Sequence, residues 1–141
     1  MEPLGAASLG EGALVFVDSA PIIYVLESHP KLADRFMPLF ARQERGEIAV
    51  AVSTVTIAEV LTGPFGAGEE ALARRYRAVL DSWQVVALTV DIAESAARLR
   101  AQYRLRLPDA IQLASALAIN ADALITHDRD FGKVRGLRIL G

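Results

Sequence analysis

LPDAIQLASALAINADALITHDRDF, residues 107 to 131, is the stretch whose reading decides the fold. Leu107-Pro108-Asp109 sets a proline at a first helical position and a carboxylate in the first turn, at the positive end of the helix dipole. The apolar residues Ile111, Leu113, Ala114, Leu117 and Ala118 give that helix a face to bury. After Asn120-Ala121-Asp122, the run Ala123-Leu124-Ile125-Thr126 reads as a short buried strand, and His127, Asp128, Arg129 and Asp130 leave its carboxyl end. A helix start and a strand end thus each present an acid. In open α/β sheets ligands sit in the crevice beyond the carboxyl ends of the strands, so Asp109 and Asp128 are candidates for chemistry as well as for capping and turn formation.

The same grammar runs upstream. Residues 1 to 12 are small, glycine-containing and aperiodic, and read as a flexible leader before a single domain over 13–141. Ala13–Val17 is an apolar run of strand length that delivers Asp18 at its end; the next segment reads as a helix, with Ser19 favoured as its cap and Asp18 a competing choice. A second helix is expected over about 31–45, with Leu32, Phe36, Leu39 and Phe40 on one face, Pro38 kinking or dividing it and Gly46 closing it. Ile48–Val52 is a second buried strand. Ser53 then opens a helix over 54–61 that Gly63-Pro64 should end. Glu59 lies inside it among apolar neighbours: it either faces solvent or is paired, hydrogen-bonded or bound to a metal. An amphipathic helix within 66–83 turns Leu72, Tyr76, Val79 and Leu80 inward, and Val85–Thr89 is a third strand. Asp91 and Glu94 have the spacing of a capping box, which assigns Asp91 to helix initiation. Leu137–Leu140 closes the chain as a short strand. Alternating strands and helices predict a three-layer α/β/α sandwich around a mainly parallel sheet.

The composition narrows the chemistry. With 141 residues, 52% of them hydrophobic, the chain can bury a core without staples, and the lack of cysteine excludes a thiol nucleophile, a disulfide scaffold and a cysteine zinc site. No apolar run is long enough to span a bilayer and the first residues lack a basic signal-peptide region, so the expectation is a cytoplasmic protein with no membrane partner. The net charge of −2 conceals an asymmetry: from Arg98 onward eight basic residues face four acids. If three of those acids meet in a metal pocket, the surrounding surface is basic.

Asp18, Glu59, Asp109 and Asp128 are each embedded in apolar sequence. Brought together, they would repel one another and call for cations, and an all-oxygen set prefers Mg²⁺ or Mn²⁺ to zinc. Such a centre suits phosphodiester hydrolysis. Two other folds that begin on a strand ending in Asp fit poorly. A haloacid-dehalogenase-like phosphatase needs a second acid two residues after Asp18, where Ala20 stands; a phosphoacceptor receiver lacks its acid pair and its late lysine.

VFVDSAPIIYVLE, STVTIAEVLTGP and LPDAIQLASALAINADALITHDRDF, in that order over residues 15 to 131, resemble the PIN domain, and specifically the VapC toxins of bacterial toxin–antitoxin pairs. The resemblance implies an α/β/α fold, a Mg²⁺- or Mn²⁺-dependent endoribonuclease acting on RNA, a homodimer, and inhibition by a cognate VapB-type antitoxin. It places the family's four acids on Asp18, Glu59, Asp109 and Asp128, with Asp18, Asp109 and Asp128 as metal ligands. Asp130 could supply or share the fourth position, and Thr126 matches the hydroxyl that orients the pocket. His127 stands where family members more often have Asn, and is expected to change local hydrogen bonding without binding metal. Arg104, Arg106 and Arg129 are the candidates for gripping the RNA backbone. The competing reading is a PIN-like domain that binds RNA or protein and cuts nothing.

Overall fold

The computed structural model describes residues 1–4 and 9–141. Five strands, β1 (Leu14–Val17), β2 (Ala49–Ser53), β3 (Gln84–Val86), β4 (Ala123–Ile125) and β5 (Arg138–Leu140), form one sheet in the order β3-β2-β1-β4-β5. Every pairing is parallel. In β1, Val15 and Phe16 lie opposite Val50 and Ala51 on one side and opposite Ala123 and Leu124 on the other, so all strands end at a common edge.

Side-chain alternation along these strands divides the interior in two. Val15, Val17, Val50, Val52, Ala123 and Ile125 point into a core closed by α1 (Ser19–Leu26), α2 (Ala33–Glu44), α3 (Thr54–Gly66) and α4 (Glu70–Asp81). Phe16, Ala51, Leu124 and Ile139 point the other way, against α5 (Val90–Tyr103) and α6 (Leu107–Ala118). Both faces of β1 and β4 are therefore buried, which is why their sequences are continuous apolar runs. The layered α/β/α arrangement agrees with the expectation from the alternation of elements.

The departures are local. Pro38 does not divide α2: it costs one intrahelical donor, while Phe36 and Leu39 on either side are buried and hold the helix to the core. Gly46, at φ 73°, follows that helix in the left-handed conformation that glycine adopts without strain. Helix α3 likewise runs through Gly63-Pro64 to Gly66, because Val60, Leu61 and Pro64 share a buried face that outweighs the lost donor. Asp18, and not Ser19, caps α1, accepting from the Ser19 N–H; Ser19 is already helical and its hydroxyl is used elsewhere. Thr89, and not Asp91, caps α5, its hydroxyl oxygen accepting from the Ile92 N–H at 3.2 Å; Asp91 lies inside the first turn. Strand β3 stops at Val86, the Leu88 N–H turning to the Thr54 hydroxyl instead of a strand partner. Val79 and Leu117, expected inward, are 37% and 39% exposed.

Residues 5–8 of the expected leader lie outside the described residues. On either side of them the chain is engaged: the Glu2 N–H donates to the Ile139 carbonyl at 2.8 Å, Glu2 pairs with Arg138, and Leu9 is buried in the first core.

Candidate active site

The site is built where the carboxyl ends of β1 and β4 meet the start of α6, with Glu59 reaching in from within α3. Strand β1 runs straight into α1, so the residue at the junction must serve both: Asp18 ends the strand, and its Oδ1 accepts from the Ser19 N–H at 2.9 Å. Its other oxygen accepts from the Thr126 hydroxyl at 2.9 Å, across the gap to β4. The Thr126 oxygen in turn accepts from the Asp128 N–H at 3.0 Å, which ties the Asp128 backbone to Asp18 through one hydroxyl. Asp128 Oδ1 accepts from the Asp130 N–H at 2.9 Å and caps a 3₁₀ turn, Arg129–Lys133, which the sequence reading did not anticipate.

Asp109 enters from the first turn of α6 and is buried, at 6% exposure. Arg106, the residue before that helix, spans the two acids: its Nε donates to Asp109 at 3.1 Å and its Nη2 to Asp128 at 3.3 Å. Glu59 is on the exposed side of α3, and its Oε1 accepts from the buried Ser19 hydroxyl at 2.8 Å.

The electrostatics follow from burial. Desolvation holds the Asp18 carboxyl above its ordinary range, and the charges of Glu59 and Asp128 push the same way; the hydrogen bonds from Ser19 and Thr126 oppose them. Asp109 is also raised, by burial first and by the charges of Asp18 and Asp128, with Arg106 pulling it down. Asp18 thus feels the charges of Glu59 and Asp128, and Asp109 those of Asp18 and Asp128, with the exposed Arg106 supplying positive charge beside Asp109 and Asp128. The site's oxygen-only donors and mutual repulsion suit a hard divalent cation. Among the described residues, no three such side chains are yet drawn tightly enough to hold one, and Arg106 occupies the space between two of the acids.

The remaining expected residues are placed as follows. Asp130 is exposed and its backbone N–H, rather than its carboxylate, reaches the cluster. His127 Nδ1 meets the Tyr24 hydroxyl at 3.2 Å and its ring stands edge-on to Tyr24 and Phe36, away from the acids' hydrogen bonds. Arg104 and Arg129 are exposed, Arg104 at φ 56° as the end cap of α5 and Arg129 next in sequence to Asp128. The sequence reading gave Ser19 and Ser53 only the roles of helix starts and did not single out Thr56 or Gln112; all four are buried. The one signal for Gln112 was a long polar side chain inside the apolar run of α6.

A model of the PIN domain matches residues 15–137. The structure is similar to that of a toxin–antitoxin complex from Klebsiella pneumoniae, with 28% identity and a TM-score of 0.70 over 87% of this chain and 94% of that one. It also shares the fold of the Sarcin-Ricin loop cleaving toxin VapC20 of Mycobacterium tuberculosis, at 19% identity and a TM-score of 0.70 over 84% of this chain and 92% of that one. VapBC-1 of nontypeable Haemophilus influenzae shares it too, at 21% identity and a TM-score of 0.69 over 89% of this chain and 96% of that one. The comparison with curated proteins gave no match.

Proposed function

The chain belongs to the PIN domain family, and on that premise we propose that it is a Mg²⁺- or Mn²⁺-dependent endoribonuclease of the VapC kind, the toxin of a toxin–antitoxin pair. The observation that supports this best is the convergence of Asp18, Asp109 and Asp128, linked through Thr126 and Arg106, with Glu59 within electrostatic reach of Asp18. A domain that only bound RNA or protein would have no use for buried acids held against their own repulsion. The proposed partners are an RNA substrate, a VapB-type antitoxin and a second copy of the chain. Among the described residues no helix is long and apolar enough to cross a membrane.

Asp18, Glu59, Asp109 and Asp128 are the residues that would hold the ion. A divalent ion there supplies Lewis-acid activation of water and neutralises charge on the scissile phosphate. The protein's own part is to fix the acids. Thr126 holds one oxygen of Asp18 and the backbone of Asp128 at a set distance from each other. Arg106 carries positive charge at the mouth of the site, with 74% of its side chain exposed, and can exchange its carboxylate partners for a phosphate of the incoming strand. Arg104 and Arg129 extend the same basic rim, gripping the backbone without reading bases.

Purified protein incubated with total RNA and Mg²⁺, Mn²⁺ or EDTA should give discrete products only with metal, and Asp109→Asn should give none while keeping its circular dichroism. Products that persist in EDTA or in the folded variant would remove metal-assisted hydrolysis at these acids. Replacing Arg106 by Ala should weaken RNA binding and lower the slope of log affinity against log salt by about 1, measured by anisotropy in EDTA. An unchanged slope would place the phosphate contact elsewhere.

A further inference from the structure

Behind Glu59 lies a chain of buried polar groups that the acid cluster does not itself require. Ser53, at the end of β2, and Thr56, in α3, form a reciprocal capping pair: the Ser53 oxygen accepts from the Thr56 N–H and the Thr56 oxygen from the Ser53 N–H, both at 3.2 Å. Gln112 reaches them from α6, on the opposite face of the sheet. One end of its amide is 2.5 Å from the Ser53 hydroxyl; the other is 2.9 Å from Thr56 Oγ1 and 3.3 Å from Ser19 Oγ. Ser53, Thr56, Ser19 and Gln112 are all 4% exposed or less. Among the described residues no buried side-chain nitrogen or oxygen lacks a hydrogen-bond partner.

Counting donors fixes the direction of every bond. Thr56 Oγ1 accepts from the Ser53 N–H and from the Gln112 amide, so its proton goes to Ser53 Oγ, 3.3 Å away. Ser53 Oγ then accepts from that hydroxyl and from the Thr56 N–H, so its own proton is committed to Gln112 Oε1. The amide is set by the Glu59 carboxylate, which can only accept: Ser19 Oγ donates to its Oε1 at 2.8 Å and so accepts from Gln112, whose NH₂ therefore faces Ser19 and Thr56.

We propose that Gln112 and Ser19 are positioning residues that hold the exposed Glu59 carboxylate in one orientation toward Asp18, through a one-way hydrogen-bond relay anchored on Ser53 and Thr56. Without it, Glu59 is a long side chain on a helix surface, free among rotamers, and ordering it on the ion would cost affinity. The relay's consequence for catalysis rests on the nuclease reading above; its geometry does not. Groups that orient metal-binding carboxylates change metal affinity by roughly 10–100-fold when removed.

The test is a calorimetric titration of Mn²⁺ into the purified protein and into Ser19→Ala, Gln112→Leu and Ser19→Thr, with folding checked by circular dichroism and RNA cleavage followed in parallel over a Mn²⁺ series. Ser19→Ala and Gln112→Leu should raise the Kd for Mn²⁺ about tenfold or more. Ser19→Thr, which keeps the hydroxyl, should stay near the parent, and the KM for RNA at saturating Mn²⁺ should be unchanged in all. If Gln112→Leu fails to fold, Ser19→Ala decides. Parent-like Mn²⁺ affinity in folded Ser19→Ala overturns the relay, whatever the cleavage assay shows, and so does a parent protein that binds no Mn²⁺. The expected affinity changes in a protein that cuts no RNA support the relay and overturn the nuclease reading instead.

Discussion

Asp18 does two jobs that pull in opposite directions. As the cap of α1 and the acceptor for Thr126 it is a structural acceptor, yet burial and neighbouring acids oppose its charge, so its carboxyl stands above the ordinary range. Folding thus favours the protonated form. The stability this contributes is complete below the ordinary carboxylate pKa of about 4 and is lost as pH rises through the higher folded value. In EDTA, the melting temperature of the parent should fall relative to that of Asp18→Asn as pH goes from 4 to 7. At pH 7 the gap between variant and parent should have moved furthest in the variant's favour, and the variant should lose cleavage. Parallel pH curves would show that ionised Asp18 costs the fold nothing. At this scale the sequence was informative about what lies at strand ends and helix starts, since Asp18, Asp109 and Asp128 follow from local pattern. It was silent on Gln112, whose partner Thr56 lies 56 residues away, and it named Arg106 as an RNA contact without showing that the same guanidinium spans Asp109 and Asp128, the second 22 residues away.

Helix boundaries show why capping residues must be read with their backbone. Thr89 and Asp91 both fit the start of α5 by composition, but only Thr89 is extended, at φ −87° and ψ 169°, leaving its side chain able to turn back to the Ile92 N–H. Thr89→Ala should destabilise the protein by about 1 kcal/mol. Asp91→Ala, which removes an exposed first-turn charge, should cost less, about 0.3 kcal/mol. Chemical denaturation of the two variants compares them directly, and equal losses would restore Asp91 to the cap. The positions of α2 and α3 were legible from periodicity. Their true lengths were not, because proline and glycine report a local cost while buried Phe36, Leu39, Val60 and Leu61 supply a tertiary gain that only the folded molecule shows.

In the whole molecule, alternation of apolar strands with amphipathic helices was enough to predict a parallel sheet between two helical layers. The strand order was not, since nothing local in β4 says that it lies beside β1. That adjacency is what carries Thr126 to Asp18. Leu124, fully buried between Phe16 and Ile139 in register, packs the face covered by α5 and α6. Leu124→Ala should cost about 2–5 kcal/mol, and a chevron or equilibrium denaturation series measures it. A loss below about 1 kcal/mol would mean that this core refills the space. The same adjacency sets a timetable. Asp18 and Glu59 precede β4 in the chain, so β1 lacks its neighbour on one side until β4 has been made, and the Thr126 N–H donates to the Leu140 carbonyl of the strand that follows. For a chain that cuts RNA as proposed, the acid cluster is complete only once β4 lies beside β1.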